Sequence, residues 1–270
     1  MPTNDYHQDN RKSWNAATEQ HHSHKPDLIA RYQKGWNNLH PDDMQLLGDL
    51  TGQRVVHLQC NDGQDTVSIA KFCGGDVTGI DISDYAIESA RKLSKEANIP
   101  ATFVRSDIFE WFEQNETPFD VVFTSYGAVG WIADVQQWAR GIAKSLKRGG
   151  RFVMIEFHPL INMYEIDWSL QYDYMGGKCI TDGGVGDYVG DDYEGKFKNP
   201  YKAHEFSWGI GDILGALLES GLTLKHFKEY PYNNGWQRFP EMKNVERRFY
   251  LPDDKPTMAM MFSIIATKQA

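Results

Sequence analysis

The sequence predicts an α/β fold: a largely parallel sheet with helices on both faces. Three observations carry it. Short apolar runs alternate with amphipathic helical stretches, the first run passes through a tight polar loop into a helix, and polar residues recur just past the ends of successive runs. In such sheets ligands bind beyond the carboxyl ends of the strands, where the strand order reverses. With 270 residues, 41% of them hydrophobic, the chain is long enough to bury one large core. No linker-like stretch or internal repeat divides it, so one domain over residues 1–270 is expected.

The elements follow in order. Residues 5–50 show a helical pattern with Tyr6, Trp14, Tyr32 and Trp36 set among polar residues. RVVHL (54–58) reads as a buried strand, QCNDGQD (59–65) as a tight loop, and 66–72 as a helix stopped by Gly74 and Gly75. DVTGI (76–80) is a second strand ending at Asp81. Ser83 opens a helix that stops before Pro100. ATFVR (101–105) and FDVVFT (119–124) are the next strands, ending near Asp107 and at Ser125-Tyr126-Gly127. Asp134 can cap a helix through Leu146, and RFVMIEF (151–157) is the fifth strand. The rhythm then breaks over 158–206, a Tyr- and Gly-rich stretch of the kind that covers sites. A helix at 211–219, stopped by Gly221, and strands at 222–230 and 259–267 complete the pattern.

Several classes of function are disfavoured. A net charge of -9 and the lack of a Lys/Arg run argue against nucleic-acid partners and anionic membrane surfaces, which require basic faces. No apolar run approaches the ~20 residues of a membrane helix, and the first 25 residues lack the apolar core of a secretory signal. Cys60, Cys73 and Cys179 are an odd count without metal spacing and fit free thiols in a reducing cytoplasm. The run His21-His22-Ser23-His24 reads as a solvated polar face, and no metal is predicted.

The nucleotide half of a site is legible. Asp81 follows the polar loop by about 20 residues, the spacing at which a carboxylate accepts from ribose hydroxyls. Asp81 could instead cap the next helix, although Ser83 or Asp84 serves that purpose equally well. Gly63 is the loop's one central glycine, and Asp62 and Asp65 flank it. Carboxylates there would repel a pyrophosphate and suit the ammonium and sulfonium of S-adenosylmethionine (SAM). Asp65 alternatively serves the helix dipole. Asp107 can accept from an adenine amino group, and Ile82 and Ile108 either sandwich the purine or belong to the core.

These blocks resemble the class I SAM-dependent methyltransferases. The resemblance runs through residues 55–70, VTGIDIS with Asp81, RSDIFEW with Asp107, FDVVFTSYG and LKRGGRFVMIEF. HLQCNDGQDT, TSYGAVGWI, EFHP (156–159) and HEFSWGIGDILGALLESGL also resemble a bacterial subgroup of small-molecule methyltransferases, and the match spans nearly the whole chain. His57 stands where the wider family has an acid, and Gln59 and Asn61 where it has glycines, although the subgroup shares the His and Gln. The resemblance implies a Rossmann-like, seven-stranded mixed sheet with its last strand antiparallel. It implies N-terminal helices (1–50) that fold over the cofactor, with Trp14 and Tyr6 as lid residues or Trp14 as a packing anchor. It implies that His57, Gln59, Cys60, Asn61, Gly63 and Asp65 surround the methionine end of the cofactor, and that Ser125 and Tyr126 lie beside the sulfonium.

Methyl transfer from a sulfonium is an in-line displacement, so the protein chiefly positions the acceptor and excludes water. Glu156 and His158 lie at the tip of the fifth strand. His158 is the expected base or acceptor-orienting group, unless it only hydrogen-bonds structurally before Pro159. The 158–206 insertion is expected to shape the acceptor pocket, with Trp131, Tyr201 and His204 on the substrate side. Tyr164, Tyr172, Tyr174, Tyr188 and Tyr193 either stack on an acceptor or pack the insertion. The expected reaction is methylation of a small molecule, with O, N, S and C acceptors and the oligomeric state all left open. A SAM-using lyase or cyclase and a non-catalytic SAM-binding protein are the alternatives.

Overall fold

The computed structural model describes residues 3–186 and 197–269. The helical N-terminal segment comprises three helices: α1 (Thr3–Ser23), α2 (Leu28–Gln33) and α3 (Pro41–Leu47). Pro26 follows α1, and Pro41 opens α3 at a position whose N–H would have no helical partner anyway. The alternation then runs β1 (Arg54–Leu58), α4 (Gln64–Phe72), β2 (Asp76–Asp81), α5 (Asp84–Ala97), β3 (Thr102–Arg105), α6 (Ile108–Gln114), β4 (Phe119–Ser125), α7 (Val135–Ser145) and β5 (Leu146–Phe157). Next come β6 (Lys178–Asp182), β7 (Ala203–Ser207), α8 (Ile210–Glu219), β8 (Leu222–Tyr230), β9 (Tyr232–Asn234), β10 (Lys243–Val245), β11 (Arg248–Tyr250) and β12 (Met261–Lys268).

The central sheet has seven strands in the order β3-β2-β1-β4-β5-β12-β8. β1 pairs in parallel with both β2 and β4, and β12 runs antiparallel between β5 and β8. The order reverses between β1 and β4, which places a ligand crevice at their carboxyl ends. Alternate residues of β1 feed opposite faces. Val56 and Leu58 pack with α6, α7 and α8 around the fully buried Trp138, while Val55 packs with α3 and α4. Full burial of each such aliphatic side chain contributes about 1.5–3 kcal/mol.

Some elements depart from the sequence pattern. β5 begins at Leu146 rather than Arg151, with an irregular register between Phe119 and Val121 of β4. Helix α6 was not anticipated, because IFEWFEQ crowds its apolar residues into less than two turns. The strands of the small β10-β11-β9 sheet span three residues each, too few to show a period.

Within the 158–206 insertion, β6 and β7 pair antiparallel, and this unit braces α1. Asn10 Nδ2 donates to the His204 carbonyl at 2.9 Å, and the His204 N–H returns a bond to Asn10 Oδ1 at 2.7 Å. The Val185 N–H donates to Ser13 Oγ, and the Asn199 amide donates to the Ser13 carbonyl. Tyr172 donates to Glu165, Tyr174 accepts from the Ile210 N–H, and Tyr164 packs on Trp168. These tyrosines therefore hold the insertion together. Tyr188 and Tyr193 lie outside the described residues.

Candidate functional site

A cavity opens beyond the carboxyl ends of β1 to β4. Its walls are Gln59 and Asn61 from the loop after β1, Ile80, Asp81 and Ile82 from the tip of β2, and Ser106, Asp107 and Ile108 from the tip of β3. Tyr126, Gly127, Ala128, Trp131 and Ile132 follow β4, and His7, Asn10 and Trp14 of α1 close the cavity from above. Trp14 meets Trp131 edge to face at 5.2 Å.

Local backbone geometry shapes the walls. Gln59, Asn61 and Tyr126 have φ of 53°, 48° and 36°. Left-handed backbone costs a non-glycine residue about 1–2 kcal/mol, and such conformations persist where surroundings over-determine them, as at binding sites. Asp81 supports the first loop. Its Oδ2 accepts from the Asn61 N–H and its Oδ1 from the Ser83 N–H, both at 2.8 Å. Burial pushes its carboxyl up to about 6 against those bonds. Gln59 Nε2 donates to the Ala128 carbonyl at 2.7 Å, while its Oε1 is buried with no partner among the described residues. Tyr126 donates to Asp43 of α3 at 2.6 Å and accepts from Asn234 at 2.9 Å. Burial, with Asp65 nearby, pushes the Asp43 carboxyl up to about 7.

Of the residues predicted from sequence, Trp14, Gln59, Asn61, Asp81, Ile82, Asp107, Ile108, Tyr126 and Trp131 line this cavity. The others do not line it, and most of them are engaged elsewhere. His57 is buried beneath the loop, bonded to Thr66 Oγ1 at 2.9 Å and to Ser125 Oγ at 3.3 Å, and burial pushes it down to about 3. Ser125 makes that contact and does not line the cavity. Cys60 is buried, with its Sγ against Gly79. Gly63 faces the packing of α5 on β3 rather than a ligand: an added Cβ would lie 2.6 Å from Ala90 Cβ and 2.7 Å from the Phe103 ring.

The acids flanking Gly63 also turn away. Asp62 pairs with His22 at 2.9 Å and Gln64 at 2.8 Å, and Asp65 accepts from Asn38 at 2.6 Å. The acid-flanked turn therefore does not face the cavity.

The residues at the tip of β5 have hydrogen-bond partners of their own. Glu156 is buried, and its carboxylate collects the N–H groups of Gly127, Ala128, Val129 and Phe157. It folds the wall after β4 but does not reach the cavity. His158 accepts from the Leu160 N–H at Nδ1 and meets Glu229 at Nε2, at 3.1 and 3.0 Å, so both ring nitrogens are engaged. His204 bonds Thr181 and lies edge-on to Tyr6 at 4.9 Å, which makes both of them parts of the α1 brace. Tyr201 is exposed and away from the cavity.

Sequence reasoning missed His7 and Asn10. With Trp14 they stand three and four residues apart, one face of α1, and this spacing was the available signal. Among the described residues no cluster of three or more metal-ligating side chains exists, and no helix is long and apolar enough to cross a membrane.

A doubly wound sheet with a crevice at its order reversal, acids at two strand tips and a helical roof defines an α/β protein of an architecture suited to a nucleoside ligand. Comparison with known proteins sharpens this. Residues 55–150 match the methyltransferase-domain family. The chain is 34% identical to a demethylmenaquinone methyltransferase of Lactococcus lactis over 48% of its own length and 52% of that protein's. It is 24% identical to a ubiquinone biosynthesis O-methyltransferase of Photorhabdus laumondii over 77% and 78% of the two chains. The chain thus spans about half the length of the first relative. A SAM-dependent methyltransferase from Clostridium acetobutylicum shares the fold, with a TM-score of 0.57 at 13% identity over 93% of this chain and 99% of that one. Residues 55–150 thus carry a methyltransferase-type domain, and the whole chain shares the fold of a solved SAM-dependent methyltransferase.

Proposed function

We propose that this protein binds SAM in the cavity beneath α1 and transfers the methyl group to a small-molecule acceptor. One observation carries the reading: the cavity is lined by two carboxylates, Asp81 and Asp107, and by no Lys or Arg. That wall suits a cationic nucleoside and disfavours a dinucleotide's pyrophosphate. The buried Gln59 Oε1 offers an acceptor to an ammonium group. Asp81 holds the ribose: its carboxylate accepts from the backbone N–H groups of Asn61, Ser83 and Ile82 and retains lone-pair capacity beyond them. Ile82 and Ile108 flank the purine.

When bound, SAM supplies a methyl group activated by a sulfonium. The chain's own work is to position and enclose. Trp14 and Trp131 exclude water at the mouth, and Glu156 fixes the backbone of the wall that Tyr126 begins. His158 and Glu156 are positioning residues in this reading. The cavity residues come from both the roof and the sheet, so residues 1–270 act as one unit. A net charge of -9 favours a small molecule over nucleic acid, and free thiols at Cys60, Cys73 and Cys179 suit a reducing cytoplasm.

Titration calorimetry with SAM, S-adenosylhomocysteine and NAD tests the cofactor. Both sulfur nucleosides are expected to bind and NAD is not; Asp81→Asn is expected to weaken binding by about tenfold or more, the loss of a hydrogen bond to a charged group. NAD binding without SAM binding would overturn the proposal. Release of S-adenosylhomocysteine only when an acceptor is supplied tests the transfer, and methylthioadenosine from SAM alone would show a lyase instead. His158→Gln is expected to leave SAM affinity within about twofold while lowering stability by about 1 kcal/mol, the net contribution of one hydrogen bond. A much larger loss of affinity would return His158 to the site.

A further inference from the structure

We infer that His7 of α1 selects the base of the bound nucleoside, accepting a hydrogen bond at Nε2 from the 6-amino group of adenine. This rests on the SAM reading above and assigns to the roof a task that sequence reasoning gave to Asp107.

Asp107 is already committed. Its Oδ1 caps α6, accepting from the Phe109 N–H at 2.7 Å and the Glu110 N–H at 3.4 Å. Its Oδ2 lies 2.5 Å from His7 Nδ1. Burial opposes its charge, but the His7 hydrogen bond and the helix N–H groups hold its carboxyl below the usual range. An ionised carboxylate only accepts, so the hydrogen of that bond sits on His7 Nδ1. In the tautomer with its hydrogen on Nδ1, the ring carries its lone pair at Nε2.

That atom is buried and has no partner among the described residues, and His7 lines the cavity. The ring lies against Phe109 at 5.0 Å with planes 29° apart, which fixes its orientation. A buried acceptor without a donor is costly, and a ligand N–H relieves it. Adenine brings such an N–H on its 6-amino group. A 6-oxo purine would bring a second lone pair, leaving both atoms unsatisfied and the ligand rejected.

The test compares S-adenosylhomocysteine with its deaminated analogue, S-inosylhomocysteine, by calorimetry on the full chain. Two variants separate the nitrogens. In His7→Asn the amide Nδ2 can still donate to Asp107, but the Nε2 acceptor is gone. In His7→Gln an acceptor can return near the Nε2 position. Wild-type protein is expected to prefer the adenosyl compound by about tenfold or more. His7→Asn should reduce that preference to within about threefold, and His7→Gln should restore part of it. If His7 only holds the roof, both ligands weaken in parallel and the ratio survives in His7→Asn, which overturns the inference while leaving the cofactor reading intact. If the wild-type protein binds neither compound, the cofactor reading falls and the inference with it.

Discussion

Glu156→Ala is expected to destabilise the protein by about 4 kcal/mol or more and to reduce SAM affinity sharply. The side chain is 1% exposed, and its two oxygens accept from four backbone N–H groups, those of Gly127, Ala128, Val129 and Phe157. Each buried donor left unsatisfied costs about 1–3 kcal/mol, less whatever a water recovers. The typical whole-domain stability is only about 5–15 kcal/mol. Glu156→Gln keeps the volume but turns an amide N–H₂ toward those donors, so about 2 kcal/mol should be lost. Urea melts of both variants, with SAM titration of whatever remains folded, measure this. An alanine variant within about 1 kcal/mol of wild type would show that the carboxylate does not organise the wall.

Gly63→Ala is expected to cost about 3 kcal/mol or more, a fall in Tm of roughly 6 °C or more for a domain of this size. Two effects add. Gly63 has φ of +74°, and its new Cβ would lie 2.6 Å from Ala90 Cβ and 2.7 Å from the Phe103 ring. The backbone term is about 1 kcal/mol and the overpacking term about 1–3 kcal/mol. Gly149→Ala is the control. Its φ is +77° but nothing lies within 4 Å of the added carbon, so only the backbone term applies. Equal Tm losses in calorimetry would remove the packing explanation.

The contrast at Gly63 shows where sequence reasoning succeeds and where it fails. Asp81 was legible because its spacing from the loop follows from the strand-helix-strand geometry itself. The strand tips at Asp107 and Tyr126 were legible for the same reason. Side-chain direction within the loop was not: Asp62 and Asp65 look like a charged rim, but they turn to His22 and Asn38, partners about 40 and 27 residues away in sequence. The roof was hidden by its chemistry. The buried face of α1 is His7, Asn10, Ser13, Ala17, Thr18 and His21, almost all polar, so no apolar stripe marks it. His158 and Glu156 were placed at the right strand end, yet their hydrogen-bonding groups are spent on backbone and on Glu229.

The position of β12 has a consequence for how the chain comes together on the ribosome. Residues 261–268 occupy the slot between β5 and β8, pairing with segments that emerge roughly 110 and 40 residues earlier. Until that slot is filled, two strands present open edges, the templates on which unfinished chains stick to one another. The nascent polypeptide therefore carries β5 as an open edge from residue 157 until β12 is made, and closing the sheet demands a distant, slow pairing.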